Sequence, residues 1–349
     1  MNKVLVVGQG LAGTAVIRCL QERNIDFKVI STYQANSSSM VAAGLYNPIT
    51  FKRLKATWMA KELFKQLESH YTFSGEEFYT PRSFVKVLSN VEEENRWVEQ
   101  ANSPQCEAFL DDQILASSNS KINAPLGVGQ VKKAGNLNTS AYINAVKKKL
   151  NQSGKLDIKP FDYRGLKIKE GKHIYNEQLY DHIIFCEGYH TRENPWFGWL
   201  PIQLMKGELL TIESKNLNLE QVINAGFFIL PLSQERYHVG ATYDPNDTST
   251  AITEKAKETL LAKFTTLCTA EFKVVDHKAG IRPAVVDRRP IVGQHPKYKN
   301  MWVLNGLGSK GVMLSHYFAK ELIEHIFEGF PINKEASIER FYKKYYEKD

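Results

Sequence analysis

The chain has 349 residues, of which 43% are hydrophobic and 24% are charged; this composition is typical of a globular protein and excludes a disordered or fibrous chain. The length predicts two domains, or one domain with a large insertion. The formal charge of +7 favours anionic partners, but it is spread over short clusters such as Lys147–Lys149, which a solvated helix face explains equally well.

Cysteine usage and hydropathy exclude several other classes. The four cysteines are far apart, without a CxxC pair or a nearby histidine cluster, so we predict neither a metal site nor a disulfide framework. The N-terminal apolar stretch is too short for a signal peptide, and no stretch approaches the roughly 18 to 20 apolar residues of a membrane span. We therefore expect a cytoplasmic protein with no membrane partner. The oligomeric state has no signal in the sequence.

The chain begins with the pattern of one βαβ unit: a buried strand at 3–7, a helix at 11–23 and a second strand at 26–31. The loop between the first strand and the helix contains three glycines, Gly8, Gly10 and Gly13, in the spacing GxGxxG. In this context the glycines allow a tight turn, the approach of a phosphate and close packing of helix and strand. The backbone amides of the helix start then face a pyrophosphate. This motif alone does not distinguish FAD from NAD(P).

Ser31 stands at the end of the second strand, where such units usually place an acidic ligand of the ribose hydroxyls. A serine still donates or accepts one hydrogen bond. Because serine carries no negative charge, it would not repel the 2′-phosphate of NADP. The N-terminal residues are therefore also compatible with NADP as the cofactor.

The stretch NSSSMVAAGLYNP, at 36–48, combines hydroxyl side chains with small residues. Ser38 and Ser39 are candidate phosphate ligands there, and Ala43 and Gly44 would let a cofactor pass close to the backbone. A serine-rich surface loop is the alternative.

A helix is predicted at about 51–70, strand-like spacing at 77–88 and a charged helix at about 91–101.

The middle of the chain changes from an α/β pattern to a β-rich pattern. Residues 127–150 predict a short strand, a turn and a helix that begins near Asn138 or Thr139. Residues 173–188 predict a hairpin with its turn near Asn176 and its second arm ending in the apolar strand Ile183–Phe185. From 201 to 279 the pattern is mostly strands with one helix at about 251–267. This region predicts a β-rich domain.

The last third adds two candidate chemical features. Arg282 precedes Pro283 in the apolar segment GIRPAVVDRRPIVG, and an arginine there is suited to bind a carboxylate with two hydrogen bonds; a structural ion pair is the alternative. The order strand, glycine loop and helix of the first motif then occurs again, at Met301–Asn305, Gly306–Gly311 and about 312–328. The amides of this second loop, together with the charge of Lys310, would stabilise negative charge on a bound cofactor. Glycine loops at both ends of the chain indicate one long cofactor.

Together these segments resemble the FAD-dependent D-amino acid oxidase and sarcosine/glycine oxidase superfamily. The resemblance is carried by the first glycine motif, SSSMVAAG, HIIFCEG, GIRPAVVDRRPIVG and NGLGSKG, which appear in the family's order over nearly the whole chain. Within the superfamily, AAGLYNP, RYHVGATY and GLGSKG are most similar to the FAD domain of the bifunctional tRNA 5-methylaminomethyl-2-thiouridine biosynthesis enzymes. No stretch matches their accompanying methyltransferase domain, so tRNA is an alternative partner that we do not favour.

The resemblance implies an α/β fold with a discontinuous Rossmann-like FAD-binding domain at 1–75, 127–200 and 280–349, and a second β-rich α+β substrate domain at 76–126 and 201–279. It implies non-covalent FAD, since no cysteine matches the flavin-linking position of monomeric sarcosine oxidases. Arg282 matches the carboxylate-binding arginine of the family, and His238 stands where sarcosine oxidases have a lysine that assists the reaction with oxygen. The cofactor-binding positions expected are Gly8, Gly10, Gly13, Ser31, Ser38, Ser39, Ala43, Gly44, Val131, Gly188, Gly306, Leu307, Gly308, Ser309, Lys310 and Gly311.

The function expected from residues and resemblance is an FAD-dependent amine or amino-acid oxidoreductase. Arg282 would anchor a small carboxylated amine, its C–N bond would be oxidised by hydride transfer to the flavin, and water would hydrolyse the imine. Catalytic roles are expected for Arg282, Lys310 and His238. Two alternatives remain open: oxidative removal of the carboxymethyl group from carboxymethylaminomethyl uridine in tRNA, and a flavoprotein that binds FAD without turnover.

Overall fold

The computed structural model describes residues 3–32 and 36–347. The chain divides into two compact units. The first comprises Met1–Val41, Thr139–Met205 and Ile281–Asp349, and the second comprises Ala42–Asn138 and Lys206–Gly280. The units are therefore both discontinuous in sequence, and the chain passes between them four times.

The α-helices of the described residues are, in chain order, α1 (Leu11–Glu22), α2 (Ser38–Val41), α3 (Ala60–Phe64), α4 (Leu67–His70), α5 (Val91–Ala101), α6 (Thr139–Gln152), α7 (Glu254–Leu267) and α8 (Gly311–Glu328). The strands are β1 (Lys3–Val7), β2 (Asp26–Ile30), β3 (Leu45–Tyr46), β4 (Ile49–Thr50), β5 (Lys55–Ala56), β6 (Thr72–Phe73), β7 (Glu76–Glu77), β8 (Tyr79–Pro81), β9 (Phe84–Val87), β10 (Leu110–Leu115), β11 (Val128–Val131), β12 (Gly135–Leu137), β13 (Leu156–Asp157), β14 (Lys167–Lys169), β15 (Lys172–Tyr175), β16 (Gln178–Tyr180), β17 (His182–Phe185), β18 (Ile202–Glu213), β19 (Val222–Asn224), β20 (Phe228–Pro231), β21 (Arg236–Gly240), β22 (Lys273–Val285), β23 (Ile291–Gln294) and β24 (Met301–Asn305).

The first unit is built on a six-stranded sheet in the order β13-β2-β1-β17-β24-β23. Its strands pair in parallel except for β23, which runs antiparallel to β24. The inner strands are continuous apolar runs, as expected where both faces of a parallel sheet are covered. Helices α1 and α8 pack against each other, and Leu5, Phe185 and Val303 belong to one buried cluster on the sheet.

The second unit is built on an eight-stranded sheet in the order β10-β11-β9-β19-β20-β21-β18-β22. Leu210, Tyr237 and Val239 pack in one cluster with Phe264 of α7. A separate cluster contains Phe84, Val222 and Leu230 together with Trp97 of α5. The unit is β-rich with helices packed on the sheet, as the strand spacing from 201 to 279 predicts.

The boundaries of the two units differ from the predicted domains. Residues 42–75, 127–138 and 280 of the predicted FAD-binding domain belong to the second unit, and residues 201–205 of the predicted substrate domain belong to the first. The physical reason is long-range strand pairing: β12 pairs with β3 and β8, and β11 pairs with β9 and β10. Local sequence patterns do not encode these pairings.

Two predicted elements are wrong. The helix predicted at about 51–70 is a turn followed by β5, α3 and α4; Leu54 and Met59 have positive φ angles of 46° and 53°, which no helix allows. The apolar strand Ile183–Phe185 is not the second arm of a hairpin, because β15 pairs with β16 whereas β17 joins the parallel sheet between β1 and β24. The turn at Asn176 and Glu177 does exist, and it joins β15 to β16.

Among the described residues, no helix combines the length and the apolar character needed to cross a membrane. Within the same residues no group of three or more His, Cys, Asp or Glu side chains is arranged to hold a metal ion. All four cysteines are buried free thiols.

Candidate functional site

Four neighbouring parallel strands of the first unit end at one edge of the sheet. The strands β2, β1, β17 and β24 lie side by side in this order, and all four run in the same direction. They are followed, respectively, by Ser31, Gly8, Cys186 and Gly306. Ligands of open parallel sheets bind at the carboxyl ends of the strands, so this carboxyl edge is the candidate site, and it brings together predicted residues from both ends of the chain.

The first glycine loop needs glycine at two positions for reasons of space. Gly8 has φ +96°, and a Cβ there would lie 2.4 Å from the carbonyl oxygen of Cys186. A Cβ at Gly13 would lie 1.9 Å from the carbonyl oxygen of Gly8. Gly10 is different, because the nearest atom to a Cβ there is the side-chain Oγ of Ser39, at 3.2 Å. Gly10 caps α1 without any side-chain hydrogen bond, and the first turn has no acidic residue. The positive end of α1 therefore suits an anion.

Two predicted serine ligands hold this loop from either side. Ser31 Oγ accepts a hydrogen bond from the backbone N–H of Gln9 at 3.0 Å and donates one to the carbonyl of Thr32 at 3.2 Å. Ser39 Oγ accepts from the backbone N–H of Leu11 at 3.0 Å. Ser38 lies beside Ser39 in α2. Ser31 and Ser39 thus shape the loop, and their contact with a cofactor remains a prediction.

The second glycine loop lies beside the first. A Cβ at Gly306, which has φ +73°, would lie 2.4 Å from Cγ2 of Val285, whereas one at Gly308, with φ +54°, would meet nothing within 4 Å. A Cβ at Gly311, the first residue of α8, would lie 3.3 Å from Cδ2 of Leu11 at the start of α1. The two helix N-termini are therefore neighbours. In this loop Leu307 is buried and Ser309 is exposed.

Lys310 is the N-cap residue of α8, and its carbonyl accepts hydrogen bonds from the N–H groups of Met313 and Leu314, both at 3.0 Å. Burial lowers the pKa of Lys310 to about 8 from an ordinary value of 10.5. At neutral pH the side chain is still mostly protonated, so it adds a positive charge to the end of the sheet that already carries two helix N-termini.

Arg282 is joined to the second glycine loop through its neighbour in the chain. The backbone N–H of Gly308 donates to the carbonyl of Pro283 at 3.0 Å. Arg282 itself is half-buried within β22. This hydrogen bond holds the Arg282 segment at the carboxyl edge, where a cationic side chain can take part in binding an anionic group.

Four other predicted residues, Ala43, Gly44, Val131 and His238, lie in the second unit. Gly44 has φ +69°, and a Cβ there would lie 1.8 Å from the carbonyl oxygen of Leu137, so strand packing already explains this glycine; Ala43 packs against the cluster around Phe84. The side chain of Val131 is only 2% exposed and belongs to the same core cluster. This side chain packs the sheet, and contact of Val131 with the cofactor remains a prediction.

His238 lies on β21 opposite Thr211 and Leu230, on the face of the sheet away from α7. Its Nδ1 is 3.1 Å from Thr211 Oγ1. Burial, and then the nearby Lys278, lower the pKa of His238 to about 4. The imidazole is therefore neutral at pH 7 and does not supply the positive charge of a lysine.

Sequence reasoning missed two polar residues of the carboxyl edge, Glu187 and Asn305. Asn305 ends the apolar strand β24, Glu187 lies two residues after the end of the apolar strand β17, and each directly precedes a glycine, in LNG and CEG. Asn305 donates to the carbonyl of Gly188 at 2.8 Å, and Glu187 accepts from the hydroxyl of Tyr163 at 2.7 Å. A polar residue between a buried strand and a glycine is the signal that could have found them.

These residues fit the dinucleotide that the motifs imply. Two adjacent helix N-termini provide amides for phosphates, while a Cβ at Gly188 or Gly308 would enter open space on the same edge. The backbone there can be approached closely by a ligand. Among the residues at this edge, Gly8, Gly10, Gly13, Ser39, Gly188 and the loop Gly306–Gly311 would hold it.

Comparison with known proteins agrees with this geometry. The family model DAO, described as FAD dependent oxidoreductase, matches residues 3–325. The tRNA 5-methylaminomethyl-2-thiouridine biosynthesis bifunctional protein MnmC of Leptospira borgpetersenii is 25% identical over 54% of this chain, and the match covers 33% of that relative's length. Iminodiacetate oxidase of Chelativorans sp. BNC1 has a TM-score of 0.78 at 16% identity, covering 96% of this chain and 98% of that one. Glycine oxidase of Geobacillus kaustophilus has a TM-score of 0.77 at 17% identity, covering 95% and 96%.

Proposed function

The chain belongs to the DAO family of FAD-dependent oxidoreductases, and we propose that it oxidises the C–N bond of a small carboxylated amine. The family assignment confirms the resemblance drawn from the motifs, the fold class, FAD as the cofactor and an enzyme as the class of protein. The identity of the substrate is the proposal.

One observation carries this proposal: Gly308 N–H donates to Pro283 O at 3.0 Å and thereby fixes the Arg282 segment to the glycine loop of the FAD site. A guanidinium group binds a carboxylate with two parallel hydrogen bonds. Iminodiacetate and glycine, the compounds in the names of the two structural neighbours, are both amines that carry a carboxylate. These names support the same substrate class.

The residues of the site do the binding and orienting. FAD, held by the two glycine loops, would supply the two-electron acceptor for oxidation of the C–N bond. Arg282 binds the substrate carboxylate and so fixes the orientation of the C–H bond, because positioning supplies much of the rate in such reactions. Lys310 and the start of α8 favour negative charge at this edge of the sheet. The oxidised product is an imine, which water hydrolyses to a carbonyl compound and the free amine or ammonia.

The experiment is anaerobic mixing of the oxidised holoenzyme with single amines while the flavin absorption band is followed. Amino acids, N-methyl and N-carboxymethyl amino acids, and the matching amines without a carboxylate form the panel. We expect bleaching by carboxylated amines and slow or no bleaching by the others. Equal bleaching by both groups would remove the role of Arg282.

A second candidate is oxidation of a carboxymethylated amine on a tRNA uridine. It is favoured by the similarity to MnmC and by the net charge of +7. The chain spans 33% of the length of that relative, so the relative's whole activity is not transferred here. Binding to tRNA should weaken steeply with salt, since each neutralised phosphate releases counterions. Absence of salt-dependent tRNA binding by the purified protein would exclude this candidate.

A further inference from the structure

The turn that follows β17 forms the part of the carboxyl edge between the two glycine loops. It is a 3₁₀ turn, Gly188–Glu193. Gly188 has φ +59°, and a Cβ there would meet nothing within 4 Å. The backbone at this point therefore faces open space. The turn has few residues of regular structure to hold it, so its shape depends on side chains from neighbouring segments.

Asn305 holds the first half of this turn. Its Nδ2 donates to the carbonyl oxygen of Gly188 at 2.8 Å and to the hydroxyl of Thr191 at 2.6 Å. Its Oδ1 accepts from the backbone N–H of Gly306 at 2.8 Å. Asn305 is 2% exposed and Thr191 is fully buried. One side chain thus links the turn after β17 with the glycine loop after β24.

Glu187 holds the second half. One carboxylate oxygen accepts from the Tyr163 hydroxyl at 2.7 Å, and the other accepts from Nδ2 of Asn194 at 2.7 Å. Asn194 follows the turn directly, and its Oδ1 accepts from the N–H groups of Trp196 and Phe197 at 2.8 and 3.0 Å. The carboxylate therefore fixes the end of the turn to the segment around Tyr163.

These hydrogen bonds form one polar brace, which we define as Asn305, Thr191, Glu187, Asn194 and Tyr163. Asn305, Thr191 and Asn194 are buried, whereas Glu187 and Tyr163 are partly buried. These hydrogen bonds favour one conformation, because each buried member left unpaired would cost roughly 1 to 3 kcal/mol. The brace lies among apolar side chains: Trp196 and Phe197 pack in the cluster that contains Phe185.

We propose that Asn305 and Glu187 are positioning residues for FAD: they hold the Gly188–Glu193 turn and the start of the Gly306–Gly311 loop in the arrangement that binds the cofactor. The inference rests on the FAD site of the proposed function but not on the substrate. Its readouts are FAD affinity and the visible circular dichroism of the bound flavin, measured without any amine. A failure of every amine to bleach the flavin would therefore leave it standing.

The first test compares two asparagines at opposite ends of β24. Asn305→Ala removes the brace at the carboxyl end. At the amino end, Asn300→Ala removes a similar side-chain hydrogen bond, from Asn300 Nδ2 to Gly171 O at 3.1 Å. Asn300 also has φ 59°, which alanine adopts less easily than asparagine. The control variant is therefore expected to be less stable too. We expect Asn305→Ala to raise the Kd for FAD about tenfold or more, which corresponds to the loss of about one such hydrogen bond, and to change the flavin dichroism. Asn300→Ala should lower Tm and leave both readouts unchanged.

The second test keeps the proposal falsifiable if Asn305→Ala does not fold. Thr191→Val removes one acceptor of Asn305 without changing volume and should raise the Kd for FAD at least about threefold. Glu187→Gln retains both hydrogen bonds, since its amide can donate to the Tyr163 hydroxyl while its carbonyl accepts from Asn194, and should bind FAD as the wild type does. Glu187→Leu loses both and should bind it about tenfold more weakly.

The proposal is overturned if the brace variants Asn305→Ala, Thr191→Val and Glu187→Leu bind FAD with the wild-type Kd and dichroism. It is also overturned if Asn300→Ala raises the Kd as much as Asn305→Ala, because the effect would then follow stability alone. A loss of affinity in Glu187→Gln equal to that in Glu187→Leu would contradict the positioning role of Glu187.

Discussion

Gly308 and Pro283 are joined by a backbone hydrogen bond of 3.0 Å, from the N–H of the glycine to the carbonyl of the proline. Pro283 cannot donate a hydrogen bond, but its carbonyl connects the segment of Arg282 to the glycine loop that begins α8. The two features that we singled out near the C-terminus are therefore one structural unit at the carboxyl edge of the parallel sheet.

This relationship predicts that Arg282→Leu raises KM for carboxylated amines by about 30-fold or more, because an unpaired carboxylate costs roughly 2 to 5 kcal/mol. The effect on kcat should be smaller, since the carboxylate is bound before and during the reaction. Steady-state kinetics with one good substrate measure both. Arg289→Leu is the matched control: it removes a positive charge from the same segment, where Arg289 pairs with Glu335 at 3.3 Å. Equal effects of the two changes would attribute the result to charge alone.

Gly10 and Gly13 of the first loop should respond differently to alanine. Gly13→Ala places a Cβ 1.9 Å from backbone and should prevent folding, whereas Gly10→Ala meets only the Ser39 side chain at 3.2 Å and should fold. Gly10→Ala should still raise the Kd for FAD about tenfold or more, because it adds a methyl group at the start of α1, where loops of this type let the pyrophosphate approach the backbone. Gly154→Ala, with φ +66° and nothing within 4 Å, is the control for backbone strain. FAD titration of the refolded apoprotein tests this, and unchanged affinity in Gly10→Ala would contradict it.

Glu187 predicts a pH dependence of stability. Burial raises the pKa of Glu187 to about 7 from an ordinary value of 4.5, so the folded protein holds this proton more tightly than the unfolded chain does. The stabilisation is fully present below about pH 4.5 and is lost as the pH rises through about 7. Glu187→Gln should reduce the fall in the free energy of unfolding of the apoprotein between pH 5 and pH 8.

Glu321 provides the control for this effect. Burial raises its pKa to about 7 as well, but it lies in the middle of α8 and accepts from Asn333 N–H. Glu321→Gln should flatten the same pH dependence while leaving FAD affinity unchanged. Denaturant titrations at several pH values give the comparison; an identical slope in the wild type and in Glu187→Gln would show that Glu187 does not titrate in this range.

Lys310 should control the reduction potential of the bound flavin. A positive charge favours the negative charge that the cofactor gains on reduction, so Lys310→Met should make the midpoint potential more negative at pH 7. Lys320→Met removes an exposed charge from the same helix, where Lys320 lies 3.8 Å from Glu324, and should leave the potential unchanged. Spectroelectrochemical titration distinguishes these outcomes, and equal potentials for the wild type and Lys310→Met would remove the role of Lys310.

Local sequence patterns were sufficient for β1, α1, β24 and α8, because each strand is a continuous apolar run and each helix begins at a glycine loop. They failed for residues 51–70, where apolar spacing resembled a helix but Phe51 stacks on Phe84 of a distant strand with ring centroids 5.4 Å apart. The same cause places β11 in the second unit, because this strand is held by pairing with β9 and β10. Such pairings join segments that are distant in sequence and leave no local signal.

The brace was missed for a related reason. Glu187 and Asn305 are ordinary polar residues in the sequence, and their roles become visible only when β17 and β24 are known to be neighbours in the sheet. By contrast, the two glycine loops are recognisable from the sequence because glycine restricts where the backbone can take such conformations, and Arg282 is a candidate because of its charge; its role stays a prediction.

The account is tested most directly by anaerobic reduction of the bound flavin with a carboxylated amine and with the same amine lacking the carboxylate, in the wild type and in Arg282→Leu. We predict that the carboxylated amine bleaches the flavin of the wild type, that the amine without the carboxylate reduces it far more slowly, and that Arg282→Leu removes this difference. If no amine of the panel bleaches the wild-type flavin, the proposed amine oxidation is contradicted.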